Sequence, residues 1–388
     1  MAIPLSYNLR SMVQRPVSAI ATLVGVGLVV AILIGALALA SGFQTALVAT
    51  GSPDNVMVLR RGADSEISSG IGRDATDVIR ALPDVATGAD GRPLASPEVV
   101  VLINLERLGQ PGSSNVTVRG IEADALALRR EIKIVEGRRF MPGSAEVIAG
   151  RRLGGRFVHC ALGDHIRFGT REFNVVGRFT AGGSGFESEI WGENAVLMPV
   201  FRGDVFQSIT FRMKNPQRFP EIKRLLERDP RLHVDVRLER RYYEEQSQMM
   251  AVLMRVAGVF VTGIMAVGAV FGAMNTMFAA VNARNREIAT LLALGFSPFA
   301  VLSSFLVESV LLALAGGVLG CLLALPINGI TTSTTNFSTF SELAFAFRVT
   351  PAALTAGLVF SAALGVVGGI FPAWRASRRP LAQGLREA

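Results

Sequence analysis

At 388 residues, half of them hydrophobic and 18% charged, with a mean hydropathy of +0.41, the chain is too apolar for a soluble globular protein and too polar to lie wholly within a membrane. Its formal net charge of +8 raises nucleic acid as a partner. The basic residues, however, flank apolar blocks or are scattered, without the stacked aromatics that a strand-binding surface needs, so nucleic acid is set aside.

No charged residue occurs from Pro16 to Pro53, and Val17–Leu39 is long enough to cross ~30 Å of hydrocarbon as a helix. This run exceeds the roughly 7–15 residues of a signal-peptide core, although Ala38-Leu39-Ala40-Ser41 at its end leaves cleavage as the alternative. Further apolar blocks run from Met249 to Val281, interrupted by Arg255, from Phe296 to Ile330, interrupted by Glu308, and from Val349 to Trp374 without a charge. The reading is four transmembrane helices. Arg10 and Arg15 before the first span, Arg284 and Arg286 between the second and third, and Arg375, Arg378, Arg379 and Arg386 after the fourth put both termini and the middle loop in the cytoplasm. Cys160 and Cys321 then fall in an external domain and a span, so no disulfide framework is implied.

Between spans one and two the periodicity alternates between strand and helix. Asn55–Leu59, Glu98–Leu105 and Asn115–Ile121 read as strands and Asp74–Leu82 as a helix. Glu146–Ala149, His165–Phe168, Phe173–Phe179 and Ala195–Met198 read as short strands punctuated by glycine. Ser208–Met213 and His233–Leu238 are strands around a helix at Gln217–Arg228, and Arg237–Met254 is a helix that extends span two outward as a strut. The fold class is therefore an α-helical membrane protein with one plus three transmembrane helices. Its large extracytoplasmic domain is α+β and contains a β-rich insert.

The resulting plan is a cytoplasmic interfacial helix (1–15), carrying Leu5, Leu9, Met12 and Val13 on one face, and a first span (16–43). The external domain follows (44–248, with the insert at about 132–199), then the second span (249–281), a cytoplasmic helix (282–296), the third span (297–330), a short external loop (331–348), the fourth span (349–374) and a tail (375–388).

Chemistry-bearing motifs are few. His159-Cys160 and Asp164-His165 contain metal-ligating types, but without ligand spacing on defined strands they read as turn residues. No Gly-x-Ser-x-Gly, His-Glu-x-x-His or phosphate loop is present, and no catalytic, cofactor or metal residue is assigned. Gly268 with Gly272, Gly316 with Gly320, and Gly365 with Gly369 have the four-residue spacing that lets helix backbones approach closely. Glu308 costs roughly 2.5–3.5 kcal/mol if it faces lipid; it is either a moving polar contact or a fixed interhelical bond. The sharpest feature is the short loop helix. Ile288, Leu291 and Leu292 share a face at i, i+3 and i+4, Arg284, Arg286 and Glu287 supply polar contacts, and Gly295 ends the helix before Pro298. It is either an amphipathic turn resting on lipid or a knob that docks into a cytosolic partner.

The segment Arg284-Asn-Arg-Glu-Ile-Ala-Thr-Leu-Leu-Ala-Leu-Gly295 is similar to the family pattern Arg-x-Arg-Glu-Ile-Gly-x-Leu-Arg-Ala-Leu-Gly. Glu308-Ser309 with Gly316, Gly317 and Gly320, the tail Pro372-Ala-Trp-Arg-Ala-Ser-Arg-Arg-Pro380, and Val135–Phe140 through Asp164 also match. On these residues the chain resembles the permease subunits of the MacB and FtsX type of ATP-binding-cassette systems, the type VII or mechanotransmission transporters. Leu292 stands where the family has Arg, and Ala289 where it has Gly.

The resemblance implies a permease that is not itself the ATPase. Arg284, Arg286, Glu287, Ile288, Leu291, Leu292 and Gly295 would meet a separate cytosolic ABC ATPase, present in two copies and holding ATP and magnesium. Further implied partners are a second permease copy or paralogue, a periplasmic adaptor or membrane fusion protein, and membrane lipid. It also implies residence in a bacterial inner membrane. Export or extraction of a lipidic, amphipathic or small-molecule substrate is the leading expectation; regulation of an external enzyme is the alternative. A ligand-sensing receptor is a third class, disfavoured because the segment after Trp374 is too short for a signalling module.

Overall fold

The computed structural model describes residues 16–201 and 203–378, so Leu5, Leu9, Met12 and Val13 and the tail beyond Arg378 lie outside the described residues. In chain order the helices are α1 (Pro16–Val48), α2 (Arg73–Arg80), α3 (Asn194–Val200), α4 (Phe219–Arg228), α5 (Glu239–Ala283), α6 (Asn285–Ala293), α7 (Pro298–Ala324) and α8 (Pro351–Ser377). The chain divides into two units. A helical unit gathers the described residues up to Ser41, Val252–Ile330 and Phe347 onward; an α+β unit comprises Gly42–Ala251 together with Thr331–Ala346.

The helical unit is assembled from α1, the later part of α5, and α6 to α8. Helices α1, α5, α7 and α8 are each long and apolar enough to cross a membrane. With lipid as solvent, apolarity alone drives no association, so close backbone approach must supply the packing. Glycine provides it. A Cβ on Gly316 would stand 2.8 Å from the Leu23 carbonyl oxygen of α1, and one on Gly320 would stand 2.6 Å from that of Gly27. Two turns earlier in α7, a Cβ on Gly369 of α8 would stand 2.5 Å from Cβ of Ser309, whose hydroxyl donates to the Gly365 carbonyl at 2.7 Å. Val26, Val30 and Ile34 of α1 fill the space against Ala313 of α7 and Leu364 of α8. The pair Gly268 and Gly272 behaves differently: nothing among the described residues lies within 4 Å of where a Cβ would be.

The strands of the α+β unit are β1 (Asn55–Arg60), β2 (Ala95–Glu106), β3 (Ser113–Ile121), β4 (Lys133–Gly137), β5 (Glu146–Gly150), β6 (His165–Phe168), β7 (Arg171–Thr180), β8 (Glu189–Glu193), β9 (Ser208–Arg212), β10 (Val234–Leu238), β11 (Thr331–Asn336) and β12 (Ser341–Ala346). The first ten form one mixed sheet in the order β10-β1-β9-β2-β3-β8-β5-β7-β4, with β6 on β7. The β-rich segment is thus no separate sheet, because β8 pairs in parallel with β3 and joins it to the rest. Alternation along the strands feeds two cores. Val56, Val58, Ile209, Phe211 and Val236 pack with Ile79 of α2 and Ile222 and Leu226 of α4 at one end. Val116, Val118, Val147, Phe173, Val175 and Ile190 pack together at the other.

Two sequence expectations change. Ala195–Met198 is not a strand but lies inside α3, and the adjacent strand is Glu189–Glu193. An apolar run of four does not discriminate helix from strand, and Ala, Leu and Met are strong helix formers. The loop expected at 331–348 contains a two-stranded antiparallel hairpin, β11 with β12, that belongs to the α+β unit. The strut helix starts at Glu239 and runs 45 residues without a break, about 68 Å at 1.5 Å per residue.

Candidate functional site

Helix α6 is stopped at its C-terminal end by local chemistry. Gly295, at φ +91°, adopts the left-handed conformation that side chains disfavour. Around it the Phe296 N–H donates to the Leu291 carbonyl at 3.1 Å, and the Gly295 N–H donates to that of Leu292 at 3.2 Å, the paired bonds of a Schellman stop. Ser297 then caps α7, its hydroxyl accepting from the Ala300 N–H at 3.2 Å, with Pro298 in the first helical turn. The chain turns sharply between α6 and α7 because each of these residues ends or starts a helix.

The inner face of α6 docks into the helical unit. Ile288 is 2% exposed and packs with Met277 and Val281 of α5, Val301 and Phe305 of α7, and Ala373 and Ala376 of α8. Burying one such side chain contributes about 1.5–3 kcal/mol. Leu291 and Leu292 are half-buried, while Arg286 and Glu287 are exposed. Arg284 does not share that outward face. It is buried and donates through Nη1 and Nη2 to the Glu308 carboxylate at 3.1 and 3.4 Å, with Phe305 beneath it at 6.0 Å. Two residues singled out separately in the sequence are therefore one interaction. Sequence reasoning missed Leu294 and Phe299, which are 71% and 76% exposed beside Gly295 and add apolar surface to the outward side. The signal available was their place immediately around the glycine and proline.

In the α+β unit the hairpin is tied down by charge. Glu342, its side chain 3% exposed, accepts from Arg107 Nη2 and Arg156 Nη2 at 2.6 Å each. The Ala344 N–H donates to the Ser188 hydroxyl at 2.9 Å, and Phe345 meets Phe43 edge-on at 5.6 Å between ring centres. Among the described residues no three His, Cys, Asp or Glu side chains are grouped to hold a metal. Cys160 is buried, and that burial, followed by the nearby Asp164 charge, pushes its thiol up to about 12. A thiol held protonated at neutral pH is a poor nucleophile.

The family model of the MacB-like periplasmic core domain matches residues 19–229, more than half of the chain. The chain belongs to the MacB/FtsX-like permease family. The model of the FtsX-like permease C-terminal part matches residues 259–381, which include α6, α7 and all of α8. Among curated relatives, the chain is 37% identical over 107 residues to the macrolide export ATP-binding/permease protein MacB of Syntrophobacter fumaroxidans, covering 28% of this chain and 14% of that protein. It is 34% identical over 109 residues to the MacB of Pectobacterium atrosepticum, covering 28% and 15%. The aligned stretch thus spans about one-seventh of these relatives' length. The extracellular domain of the noncanonical ABC-type transporter YknZ from Gram-positive bacteria covers 47% of this chain and 99% of its own, at 13% identity and a TM-score of 0.35. With four helices able to span a bilayer, this MacB/FtsX-like ABC transporter permease is a multi-pass inner-membrane protein.

Proposed function

We propose that this permease converts closure of a separate cytosolic ATPase pair into movement of its α+β domain on the far side of the membrane. The observation that carries this reading is the two-sided character of α6. Ile288 and Arg284 fix it to α5, α7 and α8, while Arg286, Glu287 and Leu294 are exposed on its other side. A knob anchored on one face and presented on the other passes force instead of absorbing it. In this reading both termini and α6 are cytoplasmic, two ATPase copies hold the ATP and magnesium, and a second permease copy or paralogue completes the complex.

Chain connectivity supports an outward path for the stroke. The 45-residue α5 begins in the α+β unit and ends next to α6, and the hairpin Thr331–Ala346 returns from α7 to the same unit before α8. The curated relatives are named for macrolide export, which favours export of a small or amphipathic molecule, delivered through a periplasmic adaptor, over regulation of an external enzyme. Co-purification of the full-length permease with its ATPase tests the docking assignment. Glu287→Arg and Arg286→Glu, both on the exposed face, should each abolish capture while leaving the permease folded. Capture that survives both places the interface elsewhere.

A further inference from the structure

Four glutamates and two arginines are buried together in the α+β unit. Arg119, on β3, spends every N–H on carboxylates. Its Nε donates to Glu189 at 2.8 Å, Nη1 to Glu66 at 2.8 Å and Glu98 at 2.6 Å, and Nη2 to Glu66 at 3.0 Å and Glu189 at 3.2 Å. Arg129 donates through Nη1 to Glu98 at 2.6 Å and through Nη2 to Glu98 at 3.2 Å and Glu239 at 3.0 Å. Phe186 lies 4.7 Å beneath the Arg129 guanidinium. Glu239 and Glu98 side chains are 0% exposed, and Glu189, the most open of the four, is 13% exposed.

Glu239 is the first residue of α5. It also accepts from the Ser52 N–H at 3.0 Å and from Asn55 Nδ2 at 2.9 Å. One turn on, the Glu66 N–H donates to the Tyr242 hydroxyl at 3.1 Å, and the Tyr243 hydroxyl reaches Glu66 at 3.5 Å. The cluster is therefore where the strut helix is fastened to the domain core. Glu239 is faced by Arg129, Arg212, Glu98, Tyr243, Asn55 and the Ser52 amide; Glu189 is faced by Arg119, Glu66, Tyr243 and the Trp191 indole N–H, which donates at 2.8 Å.

Four carboxylates against these two guanidiniums, with only the half-buried Arg212 reaching Glu239 besides, leave negative charge in excess, and an excess charge sealed from water neutralises itself by taking a proton. We propose that this cluster keeps a proton at neutral pH, held on Glu189 or Glu239, and that loss of the proton in alkali loosens the fastening of α5. The two carboxyls named agree in direction. Burial pushes the Glu239 and Glu189 carboxyls up against the pull of Arg129 and Arg119 respectively. At Glu66 burial also acts upward, but the Arg119 charge outweighs it and holds that carboxyl below its usual range. A raised carboxyl binds its proton more tightly in the fold than in the unfolded chain. Its contribution is complete below the ordinary value near 4.5 and declines as pH rises through the raised value.

Infrared spectroscopy of the full-length protein in detergent tests this directly. A buried protonated-carboxyl band should be present near neutral pH, disappear in mildly alkaline buffer, and be lost at neutral pH in Glu239→Gln or Glu189→Gln. Thermal unfolding of wild type should fall by about 3 °C or more between mildly acidic and mildly alkaline buffer, with that slope flattened in the same variant. Hydrogen-exchange protection of Tyr243–Ser247, the first α5 amides placed to carry helical hydrogen bonds, corrected for intrinsic rates, should drop about tenfold or more. Absence of the band at neutral pH overturns the proposal. So does protection that stays level while the band titrates. Both of these outcomes are read on wild type, so they decide the matter even where a variant fails to fold.

Discussion

Arg284 and Glu308, twenty-four positions apart and on opposite sides of the α6 turn, form a buried ion pair at 3.1 Å with each side chain 5% exposed. Removing one partner of such a pair leaves an uncompensated charge and costs about 3–5 kcal/mol, whereas replacing both with apolar groups of similar size is often close to neutral. Glu308→Ala should therefore sharply lower the unfolding temperature of the full-length protein in detergent. The double change Arg284→Met with Glu308→Leu should recover most of the loss. If the pair serves force transfer, ATPase capture will survive in the double variant while coupling of ATP hydrolysis to transport falls. Additive losses in the double-mutant cycle would show that the two residues act independently.

The hairpin gives a second prediction. Glu342 is nearly sealed, but Arg107 and Arg156 remain about one-third exposed. Removing the carboxylate leaves two guanidiniums that water can reach, so the cost should be modest. Glu342→Ala is expected to raise hydrogen exchange at Thr331–Asn336 and Ser341–Ala346 by more than tenfold, about 1.4 kcal/mol of local stability. The rest of the α+β unit should stay protected. Exchange unchanged in the hairpin would mean that the Phe345–Phe43 contact, the Ser188 bond and the bonds of Arg152 and Asn115 to the Ala344 and Phe340 carbonyls suffice to hold it.

Much of this fold is legible in the sequence, and the reasons differ by element. The spans are readable because lipid forces long uncharged runs, and α6 because its periodicity is bounded by Gly295 and Pro298, residues whose backbone chemistry stops and starts helices. Strands such as Asn55–Leu59, which the structure extends to Arg60, and His165–Phe168 are readable from alternation. Ala195–Met198 misleads because four apolar residues carry no period. The hairpin is invisible for another reason: Thr331-Thr-Ser-Thr-Thr shows no hydrophobic alternation, and its partners Arg107 and Arg156 lie far away in sequence. The Arg119 and Arg129 cluster shares that obstacle. Its only local trace is a charge within the apolar strand Val116-Thr-Val-Arg119-Gly-Ile, and nothing in the order of residues says that Glu66 and Glu239 will meet it.

Glycine in the spans separates into two kinds, which gives a third prediction. Gly320→Val would drive a side chain into the Gly27 carbonyl and Val30 of α1, where a Cβ already stands 2.6 and 2.8 Å away. Backbone on a packed helix does not yield cheaply, so a cost of about 1–3 kcal/mol or more is expected. A Cβ at Gly268 has no other packed element among the described residues within 4 Å, and the monomer fold should tolerate Gly268→Val. Comparing both by unfolding temperature and by size-exclusion of the purified protein checks the distinction. A Gly268→Val variant that unfolds like Gly320→Val would place an unseen helix against that face.

Acid stability offers the last test, at Glu187. Its side chain is 0% exposed, and one oxygen accepts from the Thr180 hydroxyl at 2.6 Å, the Ala181 N–H at 3.0 Å and the Gly183 N–H at 2.9 Å, while Arg152 Nε lies 3.1 Å from the other. Burial acts to raise this carboxyl, but the Thr180 and backbone donors and the Arg152 charge outweigh it and hold it below the ordinary value of 4.5. A depressed carboxyl contributes stability that is complete above the unfolded value and is lost as pH falls through the folded one. The acid limb of unfolding should accordingly steepen below about pH 4.5, and Glu187→Gln should flatten it while costing stability at neutral pH, because its amide cannot accept on both sides. An acid limb identical in the variant would move the responsible carboxylate elsewhere, with Glu66, held down by Arg119, the next to replace.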